Sequence, residues 1–247
     1  MQDEFAPLVN EVTEKCRKYF GSGFCTAYLH GSIALSDAVS NISDLDYYLV
    51  VRDEPKIEDR EYFKDLEAGL AEKHPVSQVH IDIHSLEEVK ADKFARFILR
   101  YNSTLYSGED IIKYLEENGC ERLLPNAETA KGRLSFAKQC FSEALSGKQP
   151  SNTGDIPANV YFAARKFARY FVIIEGAYFL MTLGEFSSFK KEEVLKGLRK
   201  HTVGFDNILD ITESVLDDPV KAGIMQKEYL TIIKPFMERI LEDIEKC

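Results

Sequence analysis

The sequence has no apolar run approaching the roughly 20 residues that a membrane-spanning helix needs, so it predicts no membrane partner. It has no CxxC pair. The five cysteines (Cys16, Cys25, Cys120, Cys140 and Cys247) are odd in number and scattered, which fits buried thiols in a reducing compartment better than disulfides or zinc. The N-terminal MQDEFAPLVNEVTEK is acidic and amphipathic and lacks the character of a signal peptide. A cytoplasmic location is therefore expected. Internal repeats and low-complexity tracts are also missing. Positive charge is scarce: 31 Lys and Arg against 41 Asp and Glu give a net charge of −10. A nucleic-acid polymer is then a poor partner, because its binders need a basic surface to neutralise phosphates. An acidic body suits a small-molecule partner, a cationic one included, although solubility alone is the simpler account of the acidity.

What is there describes an ordinary globular protein: 247 residues, 45% hydrophobic and 29% charged, enough for one large domain or two small ones. The chain is organised around Phe24 to Val51, FCTAYLHGSIALSDAVSNISDLDYYLVV. This reads as a strand, a tight Gly-Ser turn, a short helix or loop, and a second strand opening with Asp44 and Asp46. Residues two apart in a strand share a face, with Cα atoms roughly 6.5–7 Å apart. Two such carboxylates can converge on divalent cations about 3.5–4 Å apart, the arrangement that clamps a transferring phosphoryl group. Leu45, Tyr47 and Leu49 take the opposite face. Gly31, without a Cβ, lets the backbone approach a phosphate, and Ser32 adds a hydroxyl. Either piece alone has a bland reading, since Gly-Ser is a common turn and Asp-Leu-Asp can be a cap or a solvated loop end. Joined between two β-rich runs, they point to a nucleoside triphosphate and its metals.

LHGS, eleven intervening residues and then DLD resemble the core motif of the DNA polymerase β-like nucleotidyltransferase superfamily. YLHGSIAL followed by SDLDYYLVV is most similar to its aminoglycoside adenylyltransferase branch. The resemblance implies Mg²⁺, two ions in number, and ATP or another NTP as co-substrate. It implies Gly31, Ser32 and Ser43 at the nucleotide, and Asp44 and Asp46 as metal ligands. One departure is visible, because many members carry a Gly in the connecting segment where this chain has Ser36, Asp37 and Ala38.

Phe5, Leu8, Val9, Val12, Cys16 and Tyr19 predict a helix over 4–20, which Gly21-Ser22-Gly23 ends before a strand Phe24–Leu29. After a strand over Asp44–Val51, residues 58–73 read as a helix with Tyr62, Phe63, Leu66 and Leu70 inward. A strand over Gln78–His84 alternates strictly, so His80, Asp82 and His84 share one face. Lying beside Asp44–Val51, it would bring Asp82 to Asp44 and Asp46. Nucleotidyl transfer needs a base for the attacking hydroxyl, and a carboxylate near the metals serves. The resemblance implies a third acidic residue here, and Asp82 fits as third ligand or base, although many relatives carry Glu. His80 and His84 are better read as satisfied or cleft-lining than as ligands. Ser85 and Glu88 form a capping box opening a helix with Val89, Phe97 and Ile98 inward. A short edge strand over Ser103–Tyr106 and a helix ending near Asn118-Gly119 follow. LYSGEDI resembles the family's LYGxDI segment with one serine inserted.

Beyond about residue 121 the pattern is helical: one helix marked by Ala127 to Leu145, a loop over 147–157, then helices at 158–183, 190–201, 206–217 and 219–246, with Pro235 expected to kink the last. The expected architecture is an α/β (α+β) nucleotidyltransferase core with a mixed sheet over residues 1–118 and an all-α, five-helix bundle over 119–247 that closes one side of the cleft. Arg165, Lys166 and Arg169 are a basic cluster on an apolar helix. Glu175 can pair with them structurally, or they can bind the triphosphate. The function expected is transfer of AMP from ATP to a hydroxyl of a small molecule, an aminoglycoside-type antibiotic being one candidate. A protein-modifying, antitoxin-like adenylyltransferase and an inactive nucleotide sensor are the alternatives. The oligomeric state stays open.

Overall fold

The computed structural model describes residues 2–150 and 157–247. Most of the expected loop at 147–157 therefore lies outside the described residues. The chain divides into two compact units, Met1–Leu123 and Leu124–Cys247.

The first unit runs α1 (Ala6–Phe20), β1 (Phe24–His30), α2 (Gly31–Leu35), β2 (Leu45–Val51), α3 (Ile57–Lys73), β3 (Val79–Ser85), α4 (Leu86–Ala91), α5 (Lys93–Tyr101), β4 (Ser103–Gly108) and α6 (Ile111–Glu117). Its four strands lie in the order β3-β2-β1-β4. β1 is antiparallel to β2 and β4, while β2 and β3 are parallel, so the sheet is mixed. Alternation in β2 explains the layering. Leu45, Tyr47, Leu49 and Val51 join Ala27, Leu29, Val79, Ile81 and Ile83 in a core covered by Leu8, Val9, Val12 and Cys16 of α1 and Phe63 and Leu70 of α3. Each such side chain stabilises the fold by about 1.5–3 kcal/mol when fully buried. Tyr62, expected inward, is 42% exposed and stacks on Tyr19. On the other face Tyr28 and Val50 pack with Val89, Leu99, Ile111, Ile112 and Leu115. β3 is an edge strand, and Glu67 of α3 covers it by accepting the Ile81 N–H at 2.6 Å.

The single helix expected after Ser85 is two. Ser85 and Glu88 form the capping box, but Asp92 then accepts the Phe94 and Ala95 N–H groups and starts α5 afresh. The serine inserted in LYSGEDI coincides with a β-bulge. Ala27 pairs with Ser107 and Tyr28 with Leu105, so Tyr106 has no partner in β1.

The second unit is all helical: α7 (Ala127–Leu145), α8 (Val160–Phe167), a π-helical segment (Ala168–Ile174), α9 (Glu175–Thr182), α10 (Lys191–His201), α11 (Asp206–Asp217), α12 (Pro219–Ala222) and α13 (Gln226–Lys246). α8, the π segment and α9 follow without a break, matching the expected 158–183 helix. The helix expected over 219–246 is divided, because Asp218 caps a short turn that Gly223 ends in the left-handed region. α13 runs through Pro235 as one helix.

Candidate active site

β1 ends at His30, and the chain turns into α2 through Gly31 at φ +67°. A Cβ added at Gly31 would overlap Asp46 Oδ2, so the Gly-Ser turn lies directly against the β2 carboxylate. Only glycine both adopts this φ readily and leaves that space. α2 ends at Ser36, which is left-handed at φ +62°, ψ +28°, in the segment where the family pattern has Gly. The Gln2 side chain brackets the Ala38 backbone beyond it. Ser43 is 2% exposed, and its Oγ accepts the Val39 N–H at 2.8 Å, so this side chain holds the connecting loop.

The register arranges one sheet face in rows. His80, Asp46, His30 and Ser103 are successive partners across β3, β2, β1 and β4. Asp82, Tyr48, Tyr28 and Leu105 form the next row. Asp82 therefore shares the face of Asp46, one strand over and two residues along, about 8 Å away between Cα atoms. Asp44 immediately precedes β2 with the same parity as Asp46. His30 Nδ1 donates to the Asn102 carbonyl at 3.1 Å, with Ser103 Oγ at 3.2 Å. Neither His30 nor Ser103 was singled out by the sequence, and only strand register places them in this row. His84 stacks on Tyr48, with centroids 4.4 Å apart and planes 8° from parallel. Burial pushes the Tyr28 and Tyr48 phenols up, so both stay neutral at physiological pH.

Among the described residues no three His, Cys, Asp or Glu side chains form a ready metal cluster. Mg²⁺ characteristically takes one or two carboxylates together with substrate phosphates, and Asp44 and Asp46 offer that hard oxygen pair. The lack of a Cβ at Gly31 leaves its backbone directly beside the Asp46 carboxylate.

The basic residues lie in the second unit, Arg165 and Lys166 in α8 and Arg169 in the π segment. Arg165 Nε donates to the Leu216 carbonyl at 2.9 Å. Glu175 pairs with Arg133, a residue the sequence did not flag: Nε and Nη2 lie 3.2 and 3.1 Å from Oε1. Burial pushes the Glu175 carboxyl up against the pull of Arg133.

No family model matches the chain, and no curated protein does. Among solved structures it is similar to spectinomycin adenyltransferase AAD(9) from Enterococcus faecialis, crystallised with ATP and spectinomycin. The identity is 15% and the TM-score 0.44, over 96% of this chain and 99% of that one.

Proposed function

We propose that the protein is a Mg²⁺-dependent nucleotidyltransferase that moves AMP from ATP to a hydroxyl of a small molecule and releases pyrophosphate. The observation that supports this reading is the apposition of Gly31 and Asp46: the Gly-Ser turn lies so close to the β2 carboxylate that a Cβ at Gly31 would overlap it. The preference for ATP, and an aminoglycoside-type acceptor, rest on the motif resemblance alone.

In this reading the Gly31-Ser32 backbone and the Ser32 hydroxyl hold the phosphates, and Asp44 and Asp46 hold the metal. Mg²⁺ held there would supply charge neutralisation for the substrate phosphates. The acceptor oxygen bonds to the α-phosphorus as the bond to pyrophosphate breaks. Asp82 takes the hydroxyl proton. Ser43 supports the loop between the two motifs. Arg165, Lys166 and Arg169 keep their place as phosphate contacts on the resemblance only.

Incubating the chain with each labelled NTP, Mg²⁺ and a panel of aminoglycosides, lincosamides and cell extract tests the proposal through pyrophosphate release. ATP with Mg²⁺ at a hundred times its dissociation constant should stabilise the fold by about 2.7 kcal/mol, and chelator should remove most of the effect. Asp44→Ala and Asp46→Ala should each abolish transfer without unfolding the chain. The absence of any stabilisation by millimolar NTP would sink the reading.

A further inference from the structure

A second cleft, of about 450 Å³, opens at the end of the first unit's sheet remote from Gly31. β1 is seven residues long, so this cleft lies roughly 20 Å from the Gly-Ser turn. The backbone explains why the sheet is open there. Phe24 pairs with Val51 and Thr26 with Val50, which leaves Cys25 as a bulge with no partner in β2. The Tyr106 bulge disturbs the β4 side of the same strand. Gly108 closes the sheet edge at φ +90°, where any Cβ would strike the Cys25 carbonyl. Paired bulges of this kind re-aim strands and are frequent beside binding sites.

Two guanidinium groups line the opening. Arg17 is fixed in place: Nε and Nη2 donate to Ser107 Oγ at 3.2 and 2.7 Å, and the group lies 5.0 Å from the centroid of the Phe24 ring. Three of its five N–H donors remain after those two bonds. Arg52 makes no side-chain hydrogen bond or ion pair among the described residues. Acidic neighbours are at hand. Burial pushes the Cys25 thiol up, Arg52 acts the other way, and Glu109 and Asp53 push it further. Arg52 thus shares its surroundings with two carboxylates and is bridged to neither. Leu86, Ile111 and Tyr114 supply an apolar wall. A cavity of this size, with an apolar wall on one side and the two guanidinium groups and Glu109 converging on it, has room and polar groups enough for a small molecule.

We propose that this cleft is a second ligand site, separate from the transfer site, for a small ring-bearing oxyanion, either an aromatic carboxylate or an aryl phosphate. Arg17 and Arg52 take the oxyanion in the forked geometry that guanidinium offers to both groups. The ring lies against Leu86, Ile111 and Tyr114.

The full chain is titrated with benzoate, with phenyl phosphate and with neutral benzamide, following heat by calorimetry. Saturable binding of at least one oxyanion is expected, with the preferred one identifying the head group. Benzamide, and either oxyanion added to Arg52→Gln, should bind at least about tenfold more weakly, a loss of about 1.4 kcal/mol. Arg52 is exposed, so its replacement leaves folding intact. The stabilisation by ATP and Mg²⁺ should be unchanged in the same variant, which separates this site from the transfer site. Failure of both oxyanions to saturate by about 10 mM, equal binding of benzamide, or undiminished binding by Arg52→Gln would each overturn the proposal.

Discussion

The Tyr47 hydroxyl lies 2.8 Å from the Thr13 hydroxyl, whose own proton goes to the Val9 carbonyl at 2.7 Å. Tyr47 is therefore the donor, and it ties β2 to α1 on the face opposite Asp46. Tyr47→Phe should cost about 1 kcal/mol, the net worth of a typical buried hydrogen bond. In a chain of this length that lowers Tm by about 2–4 °C. Thermal unfolding would show the loss, while nucleotide titration should show unchanged affinity. A large fall in affinity would mean that the strand's position, and not its aspartates alone, governs the site.

Ser36 stands in the left-handed region, where a side chain costs roughly 1–2 kcal/mol. Ser36→Gly removes that strain but adds freedom to the unfolded chain. The expected net gain is about 0.5–1 kcal/mol, read from the urea midpoint. A loss of stability would show that the Ser36 side chain makes a contact worth more than the strain.

The legible parts of this fold were those set by short-range periodicity. Period-two alternation put Asp46 and Tyr47 on opposite faces and gave His80, Asp82 and His84 a common one, and the parallel β2–β3 register then placed Asp82 on the Asp46 face. Local turn chemistry was harder to see. EEVKADKFARF reads as one helix until the Asp92 side chain is known to cap Phe94 and Ala95. Gly223 likewise divides an apparently continuous pattern. Long-range ion pairing between side chains was not legible. Arg133 and Glu175 are 42 residues apart, and no periodic signal links them.

Asp82→Asn separates two roles for that residue. As general base, its loss should lower turnover by roughly 10²–10⁴-fold while nucleotide and Mg²⁺ still bind. As a metal ligand, its loss should weaken binding along with rate. Single-turnover rates and the nucleotide dissociation constant of this one variant decide between the two roles. Wild-type turnover would remove Asp82 from the site.

Arg133→Met should destabilise the second unit by about 3–5 kcal/mol, because Glu175, 1% exposed, would be buried without its partner. The double change Arg133→Met with Glu175→Leu should recover most of that loss. The pH dependence has a definite sign. Burial holds the folded-state pKa of Glu175 above its ordinary value of 4.5, so the folded chain binds the proton more tightly. Stability in the single variant should therefore fall as pH rises through and above 4.5, and its urea midpoint should be lower at neutral pH than in mild acid. An equal deficit at both would show that the glutamate finds another partner.

The alternation of β2 also constrains how the chain can fold wrongly. β2 lies between β1 and β3, with apolar side chains on one face and Asp44 and Asp46 on the other. Pairing it one residue out of step would turn those carboxylates into the layer beneath α1 and α3 and lift Tyr47 out of it. Burying even one unpaired carboxylate costs several kcal/mol, comparable with the whole stability of many domains. The aspartates thus act as a proofreading device during folding, rejecting the slipped sheet before any substrate is met.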